Sequence, residues 1–295
     1  MKAFALSGGG GKIGFSAGVV YGLHQKGIVP DYISGISSGA LVGIMTATGQ
    51  LDRMKQLLTE QITDDMVYRK RPVQYGWRMI KHLVGVQSPL SGLYDNGPLK
   101  ELIHSQIHGR FMLSDYYCGV VDIAKNRFEH VYIPRGSVLT GRHYDRWLAC
   151  IVASTAIPII FSPVRYEGKV YVDGGLHHHT PFFPLKRAVD GKADEIIAIS
   201  MHHPRSEVEI KDDIGLAAAT IQTMLGRAAE SEINRFQMIN EIALRMGGSF
   251  DIQGRTYRHY PAKIYRPSEP LNAPLNFDHA NIARDFEQGI RQVSK

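Results

Sequence analysis

Tyr32-Ile33-Ser34-Gly35-Ile36-Ser37-Ser38-Gly39-Ala40-Leu41-Val42 is the stretch on which the fold of this chain turns. Tyr32 to Ile36 is an apolar run of strand length. From Ser38 to Thr48 the side chains are small and apolar, which suits a helix packed tightly against its neighbours. The junction reads G-x-S-x-G. A strand that passes at once into a helix through a glycine-flanked serine makes a nucleophile elbow, a sharp turn that pushes one side chain out of the backbone. Gly35 and Gly39 leave room for the flanking chains, and the helix directs its positive end at the serine. Ser37 holds the central position; Ser38 reads as an ordinary serine in the first helical turn.

Upstream, Lys2 to Leu6 reads as a short buried strand and Phe15 to Gln25 as a helix, with Phe15, Val19 and Leu23 on one face and Gly27 ending it. Between them lies Gly8-Gly9-Gly10-Gly11-Lys12-Ile13-Gly14. Consecutive glycines are costly in backbone entropy, so the turn must be very tight or something must approach the backbone closely. A P-loop would need glycine and Ser/Thr where the chain has Leu6 and Ile13. Gly9, Gly11 and Gly14 spell G-x-G-x-x-G, but a dinucleotide site also needs an acidic residue at the carboxyl end of the next strand. Asp31 precedes that strand. An oxyanion hole is the third reading, in which loop N–H groups stabilise charge on oxygen; a plain packing turn is the fourth.

Downstream, Pro98, preceded by Asp95 and Asn96, opens a helix through His108. Gly119 to Ala124 and Glu129 to Ile133 are strand-like, and Trp147 to Ala156 is helical up to Pro158. Val170 to Val172 forms a strand before Asp173-Gly174-Gly175, and Glu195 to Ser200 is a buried strand. Leu216 to Met246 and Phe277 to Val293 are helical. Strands alternating with helices point to an α/β fold of three layers, with a mostly parallel central sheet and helices on both faces. The expected organisation is a single domain over residues 1–295, with cap insertions around 64–95 and 203–262. A serine nucleophile needs a base. Asp173, at the carboxyl end of a strand, is the candidate, but Asp-Gly is also a common turn. The local residues leave both readings open.

Taken together these motifs resemble the patatin-like phospholipase family. The glycine loop with its lysine comes first, then Ala17-Gly18-Val19 and the elbow at Ser37. Ala153-Ser154-Thr155-Ala156-Ile157-Pro158 follows, with Phe161 and Pro163, and then Tyr171-Val172-Asp173-Gly174-Gly175 with Pro181 downstream. The resemblance implies a Ser37–Asp173 dyad without histidine. It implies an oxyanion hole drawn from Gly9, Gly10, Gly11 and Lys12, with Gly8, Gly14, Gly35, Gly39, Gly174 and Gly175 as motif glycines. It further implies hydrolysis of acyl esters, usually of phospholipids, with no metal and no cofactor. An inert binding module on the same fold and a Ser-His-Asp esterase are the alternatives.

Two positions depart from the family pattern: Ile13 stands where a loop glycine is usual, and His177-His178-His179 where an asparagine is common. The histidines admit a zinc site shared with His202 and His203, a triad, or polar packing near the site mouth. Between Asp65 and Asp95 there is no acidic residue. Arg69, Lys70, Arg71, Arg78 and Lys81 alternate there with Tyr68, Tyr75 and Trp77, a pattern that suits an anionic membrane surface, nucleic acid or a solvated loop. The hydrolase resemblance favours peripheral membrane contact and a lipid partner over nucleic acid. The net charge of +6 agrees with phosphate-rich partners without choosing among them. Cys118 and Cys150 both lie in apolar runs and read as free buried thiols, which suits a reducing, cytoplasmic setting. No signal peptide or membrane-spanning run is recognisable.

Overall fold

The computed structural model describes residues 1–70, 92–203 and 213–294. An eight-stranded sheet forms its middle layer. We number its strands β1 (Lys2–Leu6), β2 (Tyr32–Gly35), β3 (Asp115–Asp122), β4 (Arg127–Ile133), β5 (Val164–Tyr166), β6 (Lys169–Asp173), β7 (Glu195–Ile199) and β8 (Ala262–Tyr265). The main helices are α1 (Ile13–Gln25), α2 (Ser38–Ala47), α3 (Gly97–Ile107), α4 (Tyr144–Ser154), α5 (Phe182–Val189), α6 (Asp213–Arg245) and α7 (His279–Ser294).

The order β8-β7-β1-β2-β3 is parallel throughout. Side chains alternate across it, as the period of a strand requires. Phe4, Leu6, Ile33, Ile197 and Ile199 join one apolar cluster with Phe15, Val19 and Phe286. Ala3, Ala5, Ile196 and Ala198 join the other, with Phe182, Leu185, Ile233 and Phe236. The expected three layers are therefore present. The tightest helix contact is α1 against α7: a Cβ on Gly18 would lie 2.0 Å from the Phe286 carbonyl oxygen, and one on Gly289 2.3 Å from that of Phe15. Within the stretch read as a second cap, Ile233 and Phe236 of α6 belong to this core.

The far side of the sheet departs from the parallel pattern. β4 pairs antiparallel along one whole edge of β3, from Tyr116 opposite Ile133 to Asp122 opposite Arg127. The other edge of β3 takes two partners in succession. β2 runs parallel to it as far as Gly35 opposite Cys118. β6 runs antiparallel and ends with Asp173 opposite Val120. Two strands thus meet with their carboxyl ends facing each other across Gly119. There is room for that meeting because residue 119 is glycine: a Cβ there would lie 2.1 Å from Ile36 Cδ1.

Cys118 on β3 and Cys150 on α4 are free and buried, and burial pushes both thiols up to about 12. No helix among the described residues is long and apolar enough to cross a membrane. Of the basic and aromatic stretch, Tyr68 is buried against Tyr94, Phe161 and Phe277. Arg71, Tyr75, Trp77, Arg78 and Lys81 lie outside the described residues.

Candidate active site

β2 ends at Gly35 and α2 begins at Ser38, so the chain reverses within two residues. Ser37 takes φ 55° and ψ −130°, a conformation non-glycine residues rarely adopt. The turn is closed from both sides. A Cβ on Gly35 would lie 2.5 Å from the Gly39 carbonyl oxygen, and one on Gly39 2.4 Å from that of Ser7. The Ser37 N–H donates to Ser154 Oγ at 3.0 Å, and the Ser154 hydroxyl donates to the Gly119 carbonyl at 2.8 Å. One buried hydroxyl therefore ties the elbow to the strand junction. Ser154→Ala would leave a buried donor and a buried acceptor unpaired, which costs about 1–3 kcal/mol each where no water replaces the partner. The expected result is a lowered melting temperature together with a fall in kcat larger than the change in KM. A variant with wild-type kcat would assign Ser154 to stability alone. Ser38 is also buried, on the first turn of α2, in keeping with its reading as a helix serine.

Asp173 closes β6 from the opposite direction. Its Oδ1 accepts the Gly175 N–H at 2.7 Å, capping the short turn Gly174–Leu176. The turn reading and the base reading are thus compatible, because Oδ2 is buried without a hydrogen-bond partner among the described residues. Burial pushes the carboxyl up to about 7, against the opposite pull of the Gly175 N–H and the nearby Ser37 hydroxyl. A Cβ on Gly174 would lie 2.4 Å from the Gly119 carbonyl oxygen, so this glycine also serves the junction.

The glycine loop lies over the serine. A Cβ on Gly8 would lie 2.9 Å from Ser37 Cβ. Gly10 has φ 57°, and a Cβ there would lie 2.2 Å from the Pro274 carbonyl oxygen. The four residues proposed for the oxyanion hole divide into two pairs. Gly11 donates its N–H to Pro274 at 2.7 Å and Lys12 donates to Gly9 at 3.2 Å, so both donors are engaged inside the protein. Those of Gly9 and Gly10 have no acceptor among the described residues. The candidate hole therefore contracts to Gly9 and Gly10. Gly14 serves packing instead: its missing Cβ makes room for the Ile282 carbonyl oxygen at 2.2 Å. Ile13, the departure from the family pattern, begins α1 and lines an apolar cavity that reaches Ser37. Asp31 accepts the Lys2 N–H at the opposite end of β1, away from the loop, so the dinucleotide reading lacks its ribose partner.

The three histidines separate. His177 contacts Asn126 at 3.0 Å, and His178 contacts the buried Glu232 at 3.0 Å. His179 is buried with Nδ1 unpartnered among the described residues, and it lines a second cavity together with Ser37, Lys12 and His202. Burial, with His202 and Lys12 nearby, holds its imidazole down at about 4. Burial also lowers the Lys12 ammonium, which Asp285 partly supports. Among the described residues no group of three His, Cys, Asp or Glu side chains is arranged to hold a metal.

Two contributors to the site had no role in the reading of the sequence. Ser154 stands inside the quoted Ala153–Pro158 run, but its hydroxyl carries no local signal of its partners. The Pro274-Leu275 segment, which holds the glycine loop and borders both cavities, looks like an ordinary proline-containing coil.

The structure thus sets a serine at a strand–helix elbow beside a buried carboxylate in a three-layer α/β fold. Residues 4–186 match the family Patatin-like phospholipase, and the chain belongs to that family. A patatin-like phospholipase domain-containing protein of Pyricularia oryzae (strain 70-15) is 33% identical over 76 residues, which are 26% of this chain and 10% of that protein. The crystal structure of VipD from Legionella pneumophila superposes with a TM-score of 0.52 at 15% identity, covering 99% of this chain and 66% of VipD. The matched stretch is thus a tenth of the curated relative, and the chain spans just under two thirds of VipD. Human GIVD cytosolic phospholipase A2 aligns with a TM-score of 0.42 at 11% identity, over 99% of this chain and 57% of that one.

Proposed function

We propose that this protein hydrolyses acyl esters of lipids, phospholipids among them, with Ser37 as nucleophile and Asp173 as base. The observation that carries this reading is the end-to-end meeting of β2 and β6, which sets the strained serine beside a carboxylate with one oxygen uncommitted. In the reaction the Ser37 oxygen attacks the ester carbonyl while its proton passes to Asp173. The carbonyl oxygen takes up negative charge facing the Gly9 and Gly10 N–H groups and the amino end of α2. The tetrahedral intermediate collapses, the C–O bond to the alcohol breaks, and Asp173 returns the proton to the departing alkoxide. Water then repeats the sequence: Asp173 takes its proton, hydroxide attacks the acyl-serine, and Ser37 leaves with the proton as the free acid forms. The chemistry draws on no cofactor. Lys12 supplies positive charge to the wall of the second cavity, where the alcohol portion of a phospholipid carries its phosphate.

A fluorophosphonate probe tests this reading. Covalent labelling at Ser37, located by peptide mass spectrometry, is expected; an unlabelled, folded protein would instead be an inert module on this fold. His179 supports a second reading, a histidine-assisted reaction, because its Nδ1 is unpartnered beside Ser37. In a dyad His179→Gln retains most turnover, whereas in a triad it is as damaging as loss of Asp173.

The loop makes its own prediction. Gly10→Val places a branched side chain at φ 57° and against Pro274, displacing the candidate oxyanion donors. Turnover should fall by about 10²–10³, the range for losing one such donor. Unchanged turnover would locate the hole elsewhere.

A further inference from the structure

Glu232, on α6, is a buried carboxylate that no step of the reaction uses. It adjoins Ile233 and lies one turn before Phe236, both members of the second apolar cluster. Burying a charge in such surroundings is costly unless its oxygens are hydrogen-bonded. Here both oxygens are engaged. Oε1 accepts His178 Nδ1–H at 3.0 Å, and Oε2 accepts the Thr180 N–H at 3.1 Å. Burial pushes the Glu232 carboxyl up, and these two donors pull against it. Among the described residues that line the two cavities at Ser37, neither Glu232 nor Thr180 occurs, so the carboxylate acts at a distance from any bound substrate.

The carboxylate grips the segment from His178 to Thr180, and His179 in its middle touches both halves of the site. The His179 carbonyl accepts the Gly8 N–H at 3.3 Å. The His179 ring fills the gap between the glycine loop and the turn after Asp173. A Cβ on Gly8 would lie 2.9 Å from its Cε1, and one on Gly175 would lie 3.0 Å from its Nδ1. His178 packs edge-on against Phe128, with ring centres 4.8 Å apart. Phe128 in turn covers Gly119, where a Cβ would lie 2.8 Å from its Cζ. The gripped segment therefore bears on the oxyanion donors, on the turn that caps Asp173 and on the strand junction. We propose that Glu232 is a positioning residue: by accepting from both ends of the 178–180 segment, it sets the spacing between the glycine loop and the Asp173 turn. Its effect on turnover rests on the hydrolase reading, whereas the spacing itself can be read without substrate.

Glu232→Gln, Glu232→Leu and Glu232→Asp provide the test. Glutamine keeps an acceptor for the Thr180 N–H, and its amide N–H faces His178 once the imidazole takes its other tautomer. Leucine fills the space and accepts nothing. Aspartate keeps the charge but is one methylene too short to reach both donors, and it serves in place of leucine if that variant does not fold. A misplacement of about 1 Å at the reacting groups costs about 10² in rate. The leucine and aspartate variants should therefore lose up to about 10² in kcat on a soluble p-nitrophenyl ester, with KM little changed. The glutamine variant should keep most of its turnover. In parallel, the Gly8 amide should lose protection from hydrogen exchange in the leucine and aspartate variants and keep it in the glutamine variant. A carboxylate that serves stability alone predicts a lower melting temperature with wild-type kcat in the folded protein. That result, or a glutamine variant as impaired as the leucine one, would overturn the positioning role and leave the hydrolase in place. If the wild type hydrolyses no ester, the Gly8 amide decides: lost protection in the leucine or aspartate variant would keep the positioning and remove the hydrolase, and unaltered protection would overturn both.

Discussion

Asp173→Asn is expected to abolish ester hydrolysis and, at neutral pH, to make the protein more stable. The carboxyl titrates near 7 in the folded protein, against about 3.9 in an unfolded chain. The fold therefore holds this proton more tightly than the unfolded state does, and the ionised carboxylate destabilises it. Below about pH 4 both states are protonated and there is no penalty. The penalty grows between pH 4 and 7 and is complete above 7, where three units correspond to about 4 kcal/mol. Asparagine keeps the acceptor for the Gly175 N–H and carries no charge. Its gain should be about 2–4 kcal/mol at pH 8 and should vanish near pH 4. The chemistry depends on the same group in the opposite sense: a base must be ionised, so wild-type turnover should fall as pH drops through about 7. From the sequence alone an acid limb well below the histidine range is expected, and burial reverses that order: Asp173 is pushed up to about 7 while the His179 imidazole is held down at about 4. An acid limb near 7 therefore points to Asp173 and one near 4 to His179, and the stability measurement reads the carboxyl independently. An Asp173→Asn protein no more stable than wild type at pH 8 would mean that this carboxylate is not held ionised at a cost.

Ser37→Ala should lower turnover by on the order of 10⁶ while leaving the melting temperature near that of the wild type, since alanine fits the same backbone. Ser37→Gly should be equally inactive but differ in stability. Glycine relieves the strain at φ 55°, worth about 1–3 kcal/mol, and loses about 0.4–1 kcal/mol through the freer unfolded chain. The net expectation is a glycine variant more stable than the alanine variant. Ester hydrolysis and thermal melting of the two variants side by side would read both effects. Turnover surviving in a folded Ser37→Ala protein would remove the nucleophile assignment outright.

The elbow was legible because its causes are local. Gly35 and Gly39 are forced by atoms within a few residues or on the adjacent strand, and strand and helix periods lie on either side. The loop glycines were legible as a constraint but not in their separate duties. Gly10 and Gly11 accommodate the carbonyls of Pro274 and Asn276, and Gly14 that of Ile282, partners more than 260 residues away. The same distance hid the Pro274-Leu275 segment. The histidine run read as a unit in the sequence. On a strand His177 and His179 would share a face, but they follow a short turn and go to different neighbours.

By itself the sequence determined the residue types, their chain order and their short-range geometry: a strand, a strained serine, a small-residue helix, and an aspartate ending a later strand. Those properties depend on backbone sterics and side-chain period, which act over a few residues. Only the tertiary structure decided that Ser37 and Asp173 face each other. β2 and β6 share one edge of β3 in opposite directions, and such pairing is set by hydrogen-bond register between strands more than 130 residues apart. It likewise decided that the Asp173 carboxyl titrates near 7, because desolvation depends on everything packed around a group and not on its neighbours in the chain.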